Sequence, residues 1–373
     1  MSLRKKVSAL TILALLLPMS AAPLADAQTP SAAASVFSSA MKQNEGTDVT
    51  VENDNLKRYN NESCDFVRAW YDSSGKLITC RTAKSLSSLT APDSDTVGAV
   101  SSKIYTFSSL TELKPIAEPM EAPLKSIDVY KNNSTNPNAK QVTINCLGDS
   151  ITYGVGSGTS LEATDYKPYH ACWADEYQIK ANNFGQSGSY VALYDDQTKG
   201  YRPNYSIPFV TRYRDMSDNN PDIVTVMGGV NDCQSGYYTA AEFGSLTDKA
   251  QMDTNTFCGA LRTLLEGLKT KYPNALIVYL TPLKYGDKTE GIGAAWENVS
   301  DLPYYINAIK TICNDYHVPV IDLYTPEELH FCNSTEDVLI YGDRLHFGRT
   351  AHKSLSEYIM ARLEEMHAVN IIE

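Results

Sequence analysis

The sequence predicts an α/β domain, a parallel sheet of about five strands covered by helices on both faces, preceded by a small β-sandwich. Two patterns predict the α/β domain. Apolar runs at 142–147, 222–227, 275–280 and 318–323 stop abruptly at glycine or polar residues, as strands buried on both faces do. The stretches between them carry apolar residues at helical spacing. A third pattern, short alternating runs joined by polar turns, predicts the β-sandwich ahead of that domain.

Taken in order, the first 27 residues read as a secretory leader. Arg4, Lys5 and Lys6 precede an apolar core from Val7 to Leu17, and Ala25-Asp26-Ala27 has the small-x-small form of a cleavage site. The core is too short to span a bilayer. Cleavage after Ala27 and a secreted, extracellular protein without membrane insertion are therefore expected. Residues 28–50, rich in Ala, Ser, Gln and Thr, read as a flexible tether. The β-sandwich is assigned to 51–116. Within it Phe66–Tyr71 alternates, Asp72-Ser-Ser-Gly75 is a turn signal, and Lys76-Leu-Ile-Thr returns as a second strand. Residues 117–140, rich in Pro and Asn, read as a linker, and the α/β domain runs from 141 to 368.

In that domain the strand 142–147 ends in Gly148-Asp-Ser150. A helix at Trp173–Lys180 leads into a short strand ending at Gly185. The strand Asp222–Met227 stops at Gly228-Gly229. The next helix places Phe257, Leu261, Leu264, Leu265 and Leu268 on one face. Ala275–Leu280 is a strand, Pro303–Tyr316 a helix and Val318–Leu323 the last strand. Thr350–Met366 closes the domain with Ala351, Leu355, Ile359 and Leu363 at helical spacing.

Four blocks carry the chemistry, and all follow strand ends, where open α/β sheets gather their active residues. They are Gly148-Asp-Ser150, Asn183-Phe-Gly-Gln-Ser-Gly188, Gly228-Gly-Val-Asn-Asp232 and Asp343-Arg-Leu-His346. In this order they resemble the SGNH (GDSL-type) hydrolase family over roughly residues 140 to 368. The resemblance implies a flavodoxin-like three-layer α/β/α domain and a serine esterase. Ser150 would be the nucleophile, His346 its general base and Asp343 the acid that orients the imidazole. The backbone N–H groups of Ser150 and Gly188 and the side-chain amide of Asn231 would form the oxyanion hole.

The residue types suit those roles. A serine hydroxyl is a poor nucleophile until a base takes its proton, and histidine is the usual base. Glycine lets the backbone approach a substrate, and an asparagine amide donates without adding charge. Asp149 reads as a brace for the turn rather than the acid, and Asp232 and Asp322 are rival acids. Among the other histidines, His352 is expected on a solvated or partly buried helix face, His317 before a strand, and His170, His330 and His367 in loops or the tail. No Gly-x-Ser-x-Gly elbow, phosphate-binding loop or zinc-type Cys/His spacing occurs, so no metal or cofactor is expected.

The net charge is −12, or −14 once the leader's three positive charges and one negative are removed. That excludes nucleic acid as a partner. Eight cysteines in an exported chain permit disulfides, although Cys146 reads as a small buried hydrophobe within its strand. Tyr153, Tyr166, Tyr169, Tyr190, Tyr194, Tyr201, Tyr205, Tyr237 and Tyr238 crowd the loops after strand ends. Aromatic faces with polar tips suit a sugar or a small polar acyl group. The expected activity is removal of O-acyl groups, acetyl first, from a polysaccharide or small-molecule ester. The alternatives are a lipid-directed esterase or lysophospholipase, and a non-catalytic glycan-binding surface protein.

Overall fold

A computed structural model describes residues 65–84, 89, 96–109, 120–124, 126–158, 165–193, 207–233, 242–285, 302–331 and 345–373. They fall into two compact units, Met1–Leu124 and Lys125–Glu373. The leader and tether, residues 1–50, lie outside the described residues.

The first unit holds an antiparallel sheet of β1 (Asp65–Tyr71), β2 (Leu77–Ala83), β3 (Ser101–Phe107) and β4 (Met120–Ala122), in the order β2-β1-β3-β4. The β1–β2 turn forms where the sequence places it. Asp72 Oδ1 accepts the N–H groups of Ser74 and Lys76 at 2.9 and 3.0 Å, and Gly75 takes φ 76°. Among the described residues the unit has this one sheet, not the two stacked sheets of a sandwich.

In the second unit a five-stranded sheet contains β6 (Val142–Gly148), β7 (Ile179–Gly185), β8 (Ile223–Met227), β9 (Leu276–Leu280) and β10 (Val320–Ile321). Its order, β10-β9-β8-β6-β7, is the flavodoxin-like 2-1-3-4-5 arrangement, and every neighbouring pair is parallel. The strand order reverses between β6 and β8, so a crevice opens beyond their carboxyl ends.

The helices are α1 (Ser150–Tyr153), α2 (Tyr169–Glu176), α3 (Phe209–Arg212), α4 (Val230–Cys233), α5 (Phe257–Lys271), α6 (Leu302–Asp315) and α7 (Arg349–Glu365). On one face of the sheet α3, α5 and α6 bury Phe209, Leu261, Leu264, Leu265 and Ile309 against Leu147, Val224, Val226 and Tyr279. Each such aliphatic side chain contributes about 1.5–3 kcal/mol by leaving water. The helix α5 starts where Thr256 Oγ1 accepts the Gly259 N–H at 3.2 Å. Against the opposite face α2 packs on β7 and on α7, with Trp173 Nε1 donating to Ser356 O at 3.1 Å.

Three expectations need correction. The helix after Ser150 runs Tyr169–Glu176, not 173–180, because Pro168 starts it and the chain turns extended at Tyr177. From there Ile179–Gly185 pairs residue for residue with β6. The stretch 117–140, expected as a linker, contains β4 and β5 (Ile127–Tyr130). The partner of β5 is β11 (Val369–Ile372), in parallel, so ordered chain extends to both sides of 141–368. No helix among the described residues is long and apolar enough to cross a membrane.

Candidate active site

At the carboxyl end of β6 the chain turns at Asp149 into the single-turn helix α1. Asp149 caps that helix, its Oδ1 accepting the Ile151 N–H at 3.0 Å. Ser150 therefore stands at the first helical position, where backbone N–H groups have no intrahelical acceptor. Gly185, at the end of β7, passes so close that a Cβ there would lie 2.2 Å from Tyr153 N. A side chain at 185 would push the nucleophile turn off the sheet.

The other end of the unit reaches this turn. His346, just before α7, brings Nε2 within 2.7 Å of Ser150 Oγ although 196 residues separate them. Asp343 lies outside the described residues. The loop after β7 carries Gly188, whose φ of 72° is a left-handed conformation that suits glycine. On α4 Asn231 donates from Nδ2 to Ser189 O at 2.9 Å. An amide nitrogen carries a second N–H besides the one given to Ser189 O. The structure thus brings Ser150 and His346 into contact, and links Gly188 and Asn231 through Ser189.

Burial shapes the electrostatics. Asp149 is 2% exposed, and a small, mostly apolar cavity lined by Asp149, Ile151, Met227, Val230, Leu283 and Phe347 backs the turn. Desolvation there pushes the Asp149 carboxyl up to about 6, opposed by the Ile151 N–H and the charges of His346 and Arg212. Behind α1, His170 Nε2 lies 3.0 Å from Thr152 O, and the Tyr169 N–H donates to His352 Nδ1 at 3.2 Å. Burial pushes His170 down to about 4 and His352 down to about 3. Both are held neutral within the fold, so neither is the loop or half-solvated residue that its position in sequence suggests.

The rival acids have other employment. Asp322 accepts from Lys310 Nζ at 2.7 Å and from Thr325 Oγ1 at 2.6 Å. Asp232 accepts the N–H groups of Val191 and Ala192. Among the tyrosines, Tyr169 and Tyr190 are buried, whereas Tyr153 and Tyr166 are 44% and 39% exposed. Those two meet edge to face with ring centroids 5.7 Å apart. Tyr194, Tyr201, Tyr205, Tyr237 and Tyr238 lie outside the described residues.

Sequence reasoning missed Arg212. Its guanidinium donates to Gly148 O at 3.0 Å, Ser189 Oγ at 3.1 Å, Ile207 O at 3.1 Å and Phe184 O. No motif surrounds it, and its only signal is a lone arginine in the apolar turn Pro208-Phe-Val-Thr-Arg212. Among the described residues no cluster of His, Cys, Asp or Glu could hold a metal ion. Cys80, Cys146, Cys172, Cys258 and Cys313 are free thiols.

Comparison with known proteins bears on the same stretch. Among solved structures, a protein from Lactobacillus plantarum is similar at 26% identity and TM-score 0.46, over 61% of this chain and 98% of its own. The inhibitor-bound aryl esterase of M. smegmatis aligns at 13% identity and TM-score 0.42, over 60% and 99%. A carbohydrate acetylesterase family member from Sinorhizobium meliloti aligns at 15% identity and TM-score 0.40, over 61% and 100%. No curated protein sequence matches the chain. The model of the GDSL-like Lipase/Acylhydrolase family matches residues 146–353, more than half of the chain and every described residue of the candidate site. The chain belongs to the GDSL-like lipase/acylhydrolase family of ester hydrolases.

Proposed function

We propose that this ester hydrolase is a secreted serine esterase that removes O-acyl groups, acetyl first, from a carbohydrate or a related small ester. The observation that carries the reading is the 2.7 Å approach of His346 Nε2 to Ser150 Oγ at the strand-order reversal of the sheet. As Ser150 Oγ attacks the ester carbonyl carbon, its proton passes to His346 Nε2. The carbonyl oxygen becomes an oxyanion, received by the N–H groups of Ser150 and Gly188 and the amide of Asn231. The C–O bond to the alcohol then breaks, and His346 returns its proton to the departing oxygen. Water repeats the sequence on the acyl-enzyme, releasing the carboxylic acid and restoring Ser150. Asp343, three residues before His346, is assigned to orient the imidazole.

Two features support a sugar ester. The exposed Tyr153–Tyr166 pair stands one helical turn beyond the nucleophile, and tyrosine rings offer an apolar face with a polar edge. In sequence the stretch 232–256 is largely polar. The leader-like first 27 residues support export. A lipid-directed esterase on the same residues is the second reading, favoured by the exposed apolar side chains of Leu193 and Ile207. An acyl-chain-length series of p-nitrophenyl esters, run beside acetylated xylan, separates the two. Highest kcat/KM on acetate together with acetate release from xylan is expected. A rate that climbs with chain length would replace the sugar reading by the lipid one.

A further inference from the structure

The peptide that would supply the Gly188 donor belongs to a loop held from several sides. Ser189, its next residue, is fully buried. Its N–H donates to Gln186 O at 3.1 Å, its carbonyl accepts from Asn231, and its hydroxyl donates to Ile207 O at 2.7 Å. The same hydroxyl accepts from Arg212 Nη2. That nitrogen also reaches Gly148 O, two residues ahead of the nucleophile, while Nη1 reaches Phe184 O at the end of β7.

Two carbonyls at the carboxyl ends of β6 and β7, those of Gly148 and Phe184, converge here with that of Ile207 just before α3. Only arginine presents five N–H bonds in one planar fork. Among the described residues Arg212 makes no ion pair; its N–H groups go to these carbonyls and to Ser189, and its charge also acts on the buried Asp149 carboxyl. Burial lowers its pKa only to about 10, which leaves the guanidinium charged at neutral pH.

We propose that Arg212 is a positioning residue for oxyanion stabilisation: by holding Ser189 against the end of the nucleophile strand it fixes the adjoining Ser187–Gly188 peptide, whose N–H is the Gly188 donor, so that the donors that follow β6 and β7 face one point. This rests on the esterase reading of Ser150, Gly188 and Asn231. Arg212 touches neither substrate nor reacting atoms. Its loss misdirects a donor and raises the barrier to the tetrahedral intermediate, with little effect on substrate binding.

The test measures p-nitrophenyl acetate turnover by Arg212→Ala and Arg212→Lys, with active sites counted by fluorophosphonate titration so that misfolded protein drops out. The expected result for Arg212→Ala is a per-site kcat lower by about 10²-fold, the effect of losing one oxyanion donor, with KM within about threefold of wild type. Millimolar guanidinium is expected to restore at least about tenfold of that loss in Arg212→Ala and nothing in wild type, because only a planar fork bridges the three carbonyls. Lysine, a point donor, restores little. If Arg212→Ala does not fold, Arg212→Lys carries the test and must fall at least about tenfold. A per-site kcat within about threefold of wild type in the folded variant, or a loss confined to KM, overturns the assignment. A wild type without turnover overturns the esterase reading and this inference with it, whereas an active wild type beside an equally active variant overturns the inference alone.

Discussion

The Asp232 carboxylate receives two successive backbone N–H groups, those of Val191 and Ala192, at 2.9 Å each. Its neighbour Asn231 holds Ser189 O, so adjacent side chains of α4 grip the loop after β7 at closely spaced peptides. In Asp232→Asn an NH₂ group faces one of the N–H donors, and a buried donor loses its acceptor. Urea unfolding should show a loss of about 2 kcal/mol, with kcat falling alongside because the loop carries Gly188. An unchanged midpoint would mean that other contacts hold the loop.

Ser150→Ala removes the hydroxyl that His346 faces. Turnover of p-nitrophenyl acetate should fall by about 10⁴-fold or more, with the thermal midpoint unaltered. Asn231→Ala leaves the nucleophile in place and should cost about 10² to 10³ in kcat. Retained turnover in the first variant removes Ser150 from the mechanism, and a loss seen only in KM in the second removes Asn231 from the oxyanion hole.

Asp149 links catalysis to stability. Burial raises its carboxyl to about 6, above the value of about 3.9 expected in an unfolded chain. The folded state therefore holds this proton more tightly. The group's stabilising contribution is whole below about pH 4 and is lost as pH rises through about 6. Asparagine keeps an oxygen for the Ile151 N–H and carries no charge. Asp149→Asn should exceed wild type by about 2 kcal/mol at pH 7.5 in urea unfolding, and the two curves should meet near pH 4. Equal stability at pH 7.5 would show that the carboxylate is better solvated than its burial implies.

The histidines behind α1 act in the opposite sense. Burial pushes His170 down to about 4 and His352 to about 3. Below about pH 6.5 an unfolded chain takes up protons on both, while the folded chain does not. Stability therefore falls as pH drops through that window, by up to about 1.4 kcal/mol per pH unit for each group. His352→Gln should flatten the pH dependence of the urea midpoint between about pH 6.5 and 4. Parallel curves for variant and wild type would mean that protons reach His352 in the folded state.

Much of the α/β unit was legible because parallel strands are buried on both faces. Val142–Gly148, Ile223–Met227 and Leu276–Leu280 appear as mostly apolar runs, interrupted only by Thr143, Asn145 and Thr225. Ser150, Gly188 and Asn231 could be singled out because each lies just past the end of β6, β7 or β8, and His346 because it lies just ahead of the closing helix. What escaped depends on distant partners. Ile127–Tyr130 reads as linker until Val369–Ile372 lies beside it. His352 looks half-solvated on its own helix, yet α2 packs over it. Arg212 is an unremarkable arginine until carbonyls from β6, β7 and the loop after β7 gather around its fork. A β-sandwich was expected from several short strands, which cannot tell one sheet from two.

The β5–β11 ladder has a topological consequence. Its two strands run side by side from the Ile127–Val369 pair to the Tyr130–Ile372 pair, and Lys131 Nζ meets a Glu373 carboxylate oxygen at 2.6 Å. Strands of four residues span only about 13 Å, so the places where the backbone enters and leaves this unit are separated by little more than one short ribbon. A few glycines could join them, and the enzyme could then be opened at an exposed surface turn such as the one near Asp248. A circular permutant built that way would keep Ser150 and His346 together while reversing which of them the ribosome makes first.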